Sequence, residues 1–181
     1  MSNWTLEDRF LTLNTHWVTL VGERYTDHRG QRLEYYRAER PSSVIVLPML
    51  DNALLLPPRS FRPGIGESAL DFPGGRIGDE SVEKAATRIL HRELNLSEDM
   101  LQGLELMNRR GWPVDSSFSD QRLFGAVARL HPNASPGVSG ERFPLTPEGQ
   151  AMLLRDLECV QCRLVLLHFL RATGGAENAS L

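Results

Sequence analysis

Hydrophobic and polar positions change rhythm several times along this 181-residue chain. From 17 to 37, apolar and polar residues alternate unevenly around Asp27-His28-Arg29-Gly30, which predicts two strands joined by a turn. Residues 44–50 form a short, apolar, β-rich run, the pattern of a buried strand. Asp51-Asn52 then marks a turn, and 53–56 the next strand. The stretch PPRSFRPGIGES, rich in Pro and Gly, reads as a loop carrying Arg59 and Arg62. A short strand over 70–73 runs into Gly74-Gly75. The period changes at 81–94, where Val82, Ala85, Ala86, Ile89, Leu90 and Leu94 recur at helical spacing and cover one face. Strands follow at 104–108 and 123–130, and 131–149 reads as a long loop. From 147 to 172 the pattern is helical, ending at Gly174-Gly175 before a frayed tail. Mixed strands with a central and a C-terminal helix predict an α/β sandwich around a mixed sheet. The expected organisation is an N-terminal β element over 1–40, a main domain over 41–173 and a tail over 174–181.

The central helix holds the main anomaly. Glu93 falls on its apolar face, one turn after Ile89. A carboxylate there is costly unless it is paired, hydrogen-bonded or bound to a metal. Two readings stay open: a metal ligand, or a helix-end glutamate bonded to a loop. Glu80 and Arg88 are eight apart, too far for ordinary helical neighbours. They can pair if Glu80 precedes the helix in a loop that folds back. Gly74-Gly75 permits a turn that residues with a Cβ resist.

Composition narrows the classes. A net charge of −3 and a pI near 6.0 supply no basic footprint for nucleic acid. The longest late apolar run, 164–170, is interrupted by His168 and too short to span a bilayer. The N-terminal residues lack a secretory pattern, so a cytoplasmic protein without membrane attachment is expected. Cys159 and Cys162 form an isolated Cys-x-x-Cys. It lacks the second pair of a zinc site and the strand–turn context of a redox motif, so core packing is the favoured reading over either.

The helix and its approach carry a resemblance. Gly74, Glu80, Arg88, Leu90, Glu93 and Leu96 match the spacing of the Nudix box, which runs Gly, five residues, Glu, seven residues, Arg-Glu, apolar, any, Glu-Glu, any, Gly, apolar. The approach SVIVLPMLDNALLLPPRSFRPGIGESALDFPGG resembles that of ADP-ribose pyrophosphatases, and SSFSDQRLFGAV resembles their downstream Ser-Pro-Gly-Phe-Ser-Asp-Glu segment. The resemblance spans 17–170 and implies a Nudix-type α/β/α sandwich. It also implies a loop–helix that holds divalent cations, Mg²⁺ or Mn²⁺, against a nucleoside diphosphate derivative such as ADP-ribose.

Carried over position by position, the resemblance implies a metal-binding Glu93 and a brace between Glu80 and Arg88 at the catalytic centre. Gly74 and Gly75 would shape the substrate loop, and Arg59 and Arg62 would grip the diphosphate with guanidinium forks. Solvated loop arginines are the plainer reading of that pair. Trp112 would stack on a base, or simply pack. The departures fall on the ligands: Ile89 and Arg92 replace glutamates, Asn95 a glycine and Gln121 a further glutamate. Magnesium takes oxygen ligands, typically one or two carboxylates with phosphate oxygens and water. Ile89 offers none. Reversing one charge about 8 Å from a cation changes the interaction by roughly 2 kcal/mol per unit charge even at an effective dielectric of 20.

Asp71 is the nearest candidate to join Glu93 as a metal ligand, with Glu67, Glu148 and Glu158 as candidate loop carboxylates for activating water. The expected metal is therefore weakly bound or carried in by the substrate. Two function classes follow: a pyrophosphatase of weakened activity, or an inactive Nudix domain that binds a nucleotide or a protein partner. A diphosphate isomerase is a third. The resemblance also implies a homodimer through the aromatic N-terminal element, which holds Trp17, Tyr25, Tyr35 and Tyr36.

Overall fold

A computed structural model describes residues 4–177. The chain divides into two compact units, 1–42 with 113–122, and 43–112 with 123–181. The segment 113–122, which the hydropathy pattern leaves in the main domain, thus joins the N-terminal residues.

The first unit is an antiparallel sheet of β1 (Thr5–Asn14), β2 (Thr19–Thr26) and β3 (Arg32–Glu39), with β2 in the middle. The β2–β3 turn forms where the sequence places it. Asp27 Oδ1 accepts from the backbone N–H groups of Arg29 and Gln31 at 2.8 and 2.9 Å, and Gly30 takes a φ of 78°. Residues 113–122 attach to β3 through backbone bonds. The Ala38 N–H donates to the Phe118 carbonyl at 2.7 Å, and the Arg40 N–H to Asp120 Oδ1 at 2.9 Å.

A charged group sits at the centre of this small sheet. Glu23 is fully buried on β2. Arg9 of β1 and Arg37 of β3 each reach it at 2.8 Å, and the Tyr25 hydroxyl donates to it at 2.8 Å. Glu39 shares both arginines, at 2.7 and 3.0 Å. The Arg37 hydrogen bonds, helped by Tyr25 and Arg9, outweigh the burial and hold the Glu23 carboxyl down at about 2.

The second unit is a mixed sheet flanked by helices. Its strands are β4 (Ser43–Leu50), β5 (Ala53–Leu56), β8 (Gly74–Arg76), β9 (Leu101–Leu106), β10 (Trp112–Pro113), β11 (Arg122–Leu130) and β12 (Glu141–Pro144). The order is β10-β11-β4-β5-β12, with β8 on β4 and β9 on β11. β4 runs parallel to β11 and antiparallel to β5 and β8. The helices are α1 (Val82–Leu94), α2 (Pro147–Asp156) and α3 (Val160–Glu177). Among the described residues, no helix is long and apolar enough to cross a membrane.

The α1 face read from periodicity is the face that packs. Ala85, Ala86, Ile89, Leu90 and Leu94 are buried against Val44 and Val46 of β4 and Ala126 and Ala128 of β11, with Val82 at the margin. Ser81 caps the N-terminus by accepting from the Lys84 N–H, and Asn95 ends the helix in the left-handed conformation. Asparagine is among the few residues other than glycine that take that conformation at low cost, so the helix ends there without a glycine.

Several boundaries differ from the hydropathy reading, and the strand expected at 104–108 begins earlier, as β9. The arginine-bearing loop contains a short hairpin of β6 (Ser60–Arg62) and β7 (Glu67–Ala69), closed by Gly66 at a φ of 72°. The strand expected at 70–73 forms instead at β8, because Gly74–Arg76 finds the open edge of β4. The long loop holds β12, where Phe143 is buried opposite Leu54. The single C-terminal helix is two, and the second runs past Gly174-Gly175 to Glu177. The break comes at Leu157, whose extended backbone bridges Leu70. A tertiary partner for that backbone overrides local helical preference. The last four residues of the expected tail lie outside the described residues.

The Glu23 network yields a pH-dependent prediction. Glu23→Gln should cost about 2–3 kcal/mol at neutral pH, because the arginines keep their burial and lose their charge partner. The folded carboxyl titrates near 2 and the unfolded one near 4.3, so this stabilisation is complete above about pH 4.5 and lost as pH falls towards 2. Urea unfolding of both proteins at pH 7, 4 and 2.5 should show the gap narrowing at the two lower values.

Candidate functional site

The loop from Gly74 to Ser81 and helix α1 form one unit. Arg88 Nε donates to Glu80 Oε1 at 2.8 Å, and Arg88 Nη2 also reaches the Arg76 carbonyl at 2.9 Å. Glu80 precedes the helix, and the loop folds back far enough to meet a residue eight positions on. The pair is half exposed, with Glu80 at 29% and Arg88 at 46%.

At the other end of the loop, Arg92 and Glu93 hold both backbone groups of Gly74. The Gly74 N–H donates to Glu93 Oε2 at 3.3 Å, and Arg92 Nη2 donates to the Gly74 carbonyl at 3.0 Å. The same Arg92 nitrogen also donates to Glu93 Oε1. Glu93 thus spends one oxygen on a loop amide and the other on a guanidinium. These are the contacts expected of a helix-end glutamate bonded to a loop.

Gly75 lies against the helix. A Cβ there would stand 3.2 Å from Arg92 Nη2 and 3.3 Å from Ile89 Cδ1. Ile89 is wholly buried and fills the space under this loop. An alanine at 75 would require Ile89 or Arg92 to give by a few tenths of an ångström.

The remaining sequence-predicted residues are dispersed over other contacts. Arg62 Nε donates to Asp71 Oδ2 at 2.6 Å. Arg59 stands 3.4 Å from Glu141 and 3.6 Å from Asp156. Both expected diphosphate grips are therefore paired with carboxylates, though their side chains stay 41% and 47% exposed. Trp112 packs edge-on against His168 at 5.0 Å and over Gly125. Glu148 is exposed in the first turn of α2, Glu158 is exposed between α2 and α3, and Glu67 is exposed on β7.

Two features escaped the sequence reading. A cavity of about 840 Å³ opens beside the N-terminus of α1, lined by Glu80, Ser81, Glu83, Glu105, Arg109 and Phe124 among others. Glu105 and Arg109 lie on and just after β9, far in sequence from the box, so spacing offered no pointer to them. The other is a cluster of Asp71, Cys159 and Cys162, whose ligand atoms all lie within 4.8 Å of one another. The Cys162 thiol holds Cys159 down at about 6, and Cys159 together with burial pushes Cys162 up. The signal for this cluster was the Cys-x-x-Cys spacing, which gives no hint of its third member.

The donor set at the box does not fit a resident magnesium. Glu93 is its single carboxylate on the helix face, and both its oxygens are engaged. Ile89 belongs to the core. The Arg92 guanidinium already pairs with Glu93. Asp71, the expected partner ligand, faces Arg62 and Cys162, and Glu93 joins no cluster of three ligand side chains among the described residues.

With this geometry the chain has the Nudix-type α/β fold: a mixed sheet flanked by helices, with a loop–helix packed on its central strands. A solved structure described as the crystal structure of an ADP compounds hydrolase superposes on it with a TM-score of 0.80 and 23% sequence identity, over 96% of this chain and 95% of that one. No family model and no curated protein matches the chain.

The Glu80–Arg88 brace is testable on its own. Its exposure lowers its worth from the roughly 3 kcal/mol of a buried pair to about 1 kcal/mol. Glu80→Gln should lower the melting temperature by about 2–4 °C. A variant that melts with the parent would show that the brace contributes nothing.

Proposed function

We propose that this chain is a Nudix-type domain for nucleoside diphosphate derivatives, ADP-ribose-like in chemistry, whose metal-dependent hydrolysis of the diphosphate bond is weakened. The single observation that carries the reading is the Arg92–Glu93–Gly74 clasp. It ties the loop to the helix with a protein cation in the neighbourhood where catalysis by this fold would need a metal one. The similarity to the ADP compounds hydrolase supports the ligand class.

The cavity beside α1 supports the same reading from its size and charge. Ligand pockets of about 300–1,000 Å³ are ordinary for molecules of nucleotide size. Three glutamates and one arginine line it, so a bare diphosphate would be repelled. A diphosphate arriving with its own Mg²⁺ or Mn²⁺ would not, and Glu83 and Glu105 are the lining carboxylates outside the brace. Arg59 and Arg62 contribute to anion binding only on release from Glu141, Asp156 and Asp71. The reading places the protein in the cytoplasm, in keeping with its two free cysteines.

The test uses ADP-ribose and several dinucleotides with Mg²⁺ and with Mn²⁺, following AMP release and measuring binding by calorimetry. Binding with turnover well below about 1 s⁻¹ is expected. Turnover at ordinary enzymatic rates sinks the weakened reading, and absence of any nucleotide binding sinks the ligand class. Arg92→Glu should release Glu93 and raise Mg²⁺ affinity at least about tenfold. Ile89 is better left in place, since its side chain contributes about 1.5–3 kcal/mol of burial.

A second copy of the chain is the proposed partner. The first unit exposes Trp4, Leu6, Leu11, Leu13, Trp17 and Tyr36, a large apolar content for a three-stranded sheet. Light scattering at micromolar concentration should return a dimer mass; a monomer mass rejects this partner.

A further inference from the structure

The break between α2 and α3 has a chemical result. The Leu70–Leu157 bridge places Asp71 alongside the residues that follow Leu157. α3 starts at Val160, so Cys159 stands immediately before it and Cys162 in its first turn. The Cys159 carbonyl accepts the Arg163 N–H at 3.0 Å, which sets the first turn of α3, and both sulfurs lie within 4.8 Å of each other and of the Asp71 carboxylate. Cys162 is buried, Cys159 partly exposed, and the Asp71 carboxylate only 13% exposed.

The orientation of Asp71 is fixed from outside the cluster. Arg62 holds Oδ2 at 2.6 Å, and Oδ1 faces the sulfurs, accepting from the Cys162 thiol at 3.6 Å. Two sulfurs and one carboxylate oxygen from separate elements therefore converge, with one carboxylate oxygen already anchored by a charged partner. Metal ligands are commonly oriented by such an outer hydrogen bond.

We propose that Asp71, Cys159 and Cys162 form a binding site for a thiophilic divalent cation, of which Zn²⁺ is the representative. Zinc binds thiolate at about 2.3 Å and carboxylate oxygen at about 2.0–2.2 Å, so tetrahedral donors lie roughly 3.3–3.8 Å apart. The observed separations within 4.8 Å need only a small contraction. Two sulfur donors select against Mg²⁺ and Ca²⁺, which take oxygen. Binding releases the thiol protons to solvent, and the two thiolates and the carboxylate replace water on the ion. Three protein donors leave a fourth position for water or a small anion. None of its ligands lines the cavity beside α1, and the one link to the nucleotide reading is the Arg62 guanidinium that Asp71 holds. Its metal would tie the approach to the Gly74 loop to the start of α3.

The experiment uses the full chain, reduced with a phosphine and stripped of metal by chelator. Zn²⁺ is titrated by calorimetry, and Co²⁺ by absorption, in millimolar Mg²⁺. One ion per chain is expected, with a thiolate-to-cobalt charge-transfer band, a rise in melting temperature on Zn²⁺ addition, and no displacement by Mg²⁺. Cys159→Ala, at a partly exposed position, should weaken binding at least about tenfold and remove part of the charge-transfer intensity, and Asp71→Asn should weaken binding while keeping the band. Cys162→Ser tests the buried ligand, and circular dichroism of each variant separates lost binding from lost folding. The proposal is overturned if the reduced chain takes up no stoichiometric Zn²⁺, if cobalt binds without the thiolate band, or if Cys159→Ala binds like the parent. It is equally overturned if the two cysteines only form a disulfide in air and the reduced protein ignores the metal.

Discussion

The second unit depends on how closely the Gly74–Gly75 strand can approach helix α1. A Cβ on Gly75 would fall within 3.3 Å of Ile89 and Arg92, so a side chain there would require those neighbours to give by a few tenths of an ångström. With glycine in place, β8 pairs with β4 while Ile89 fills the space beneath it. The buried α1 face then closes over β4 and β11 as one core. The Glu80–Arg88 brace and the Arg92–Glu93 clasp secure the two ends of the loop that this approach brings in.

That same closeness decides the chemistry. A backbone held against a helix presents its amide and carbonyl groups at fixed positions, ready for any side chain of the right sign. In this chain those groups at Gly74 are met by one carboxylate and one guanidinium of neighbouring residues. The arrangement pairs a carboxylate with a guanidinium and ties the loop to α1.

Charge compensation recurs through the molecule. Glu23 stays ionised inside the first unit because Arg9 and Arg37 arrive from both neighbouring strands. Arg59 and Arg62 meet carboxylates from β12, from α2 and from the residue before Phe72. Asp71 is the exception in kind: one oxygen faces arginine, and the other faces two sulfurs.

Much of the fold could be read from local pattern. The turn at Asp27–Gly30, the strand 44–50, its return at 53–56 and the packing face of α1 all follow from periodicity and turn chemistry, which are properties of adjacent residues. The Glu80–Arg88 pair could be anticipated from box spacing, since its loop is short. What the sequence could not determine is set by contacts between distant segments. Leu157 is extended because Leu70 is beside it, β12 exists because β5 offers an edge, and residues 113–122 attach to β3. Arg59 and Arg62 look like free anion grips until their carboxylate partners are placed. Glu93 looked ambiguous because its outcome depends on which way one neighbouring guanidinium turns. Cys159 and Cys162 look like core residues until a bridge nearly ninety residues away brings Asp71 to them. Periodicity records which face of an element is buried; it contains no information on which side chains of another element lie across from it, and the chemistry of this protein resides there.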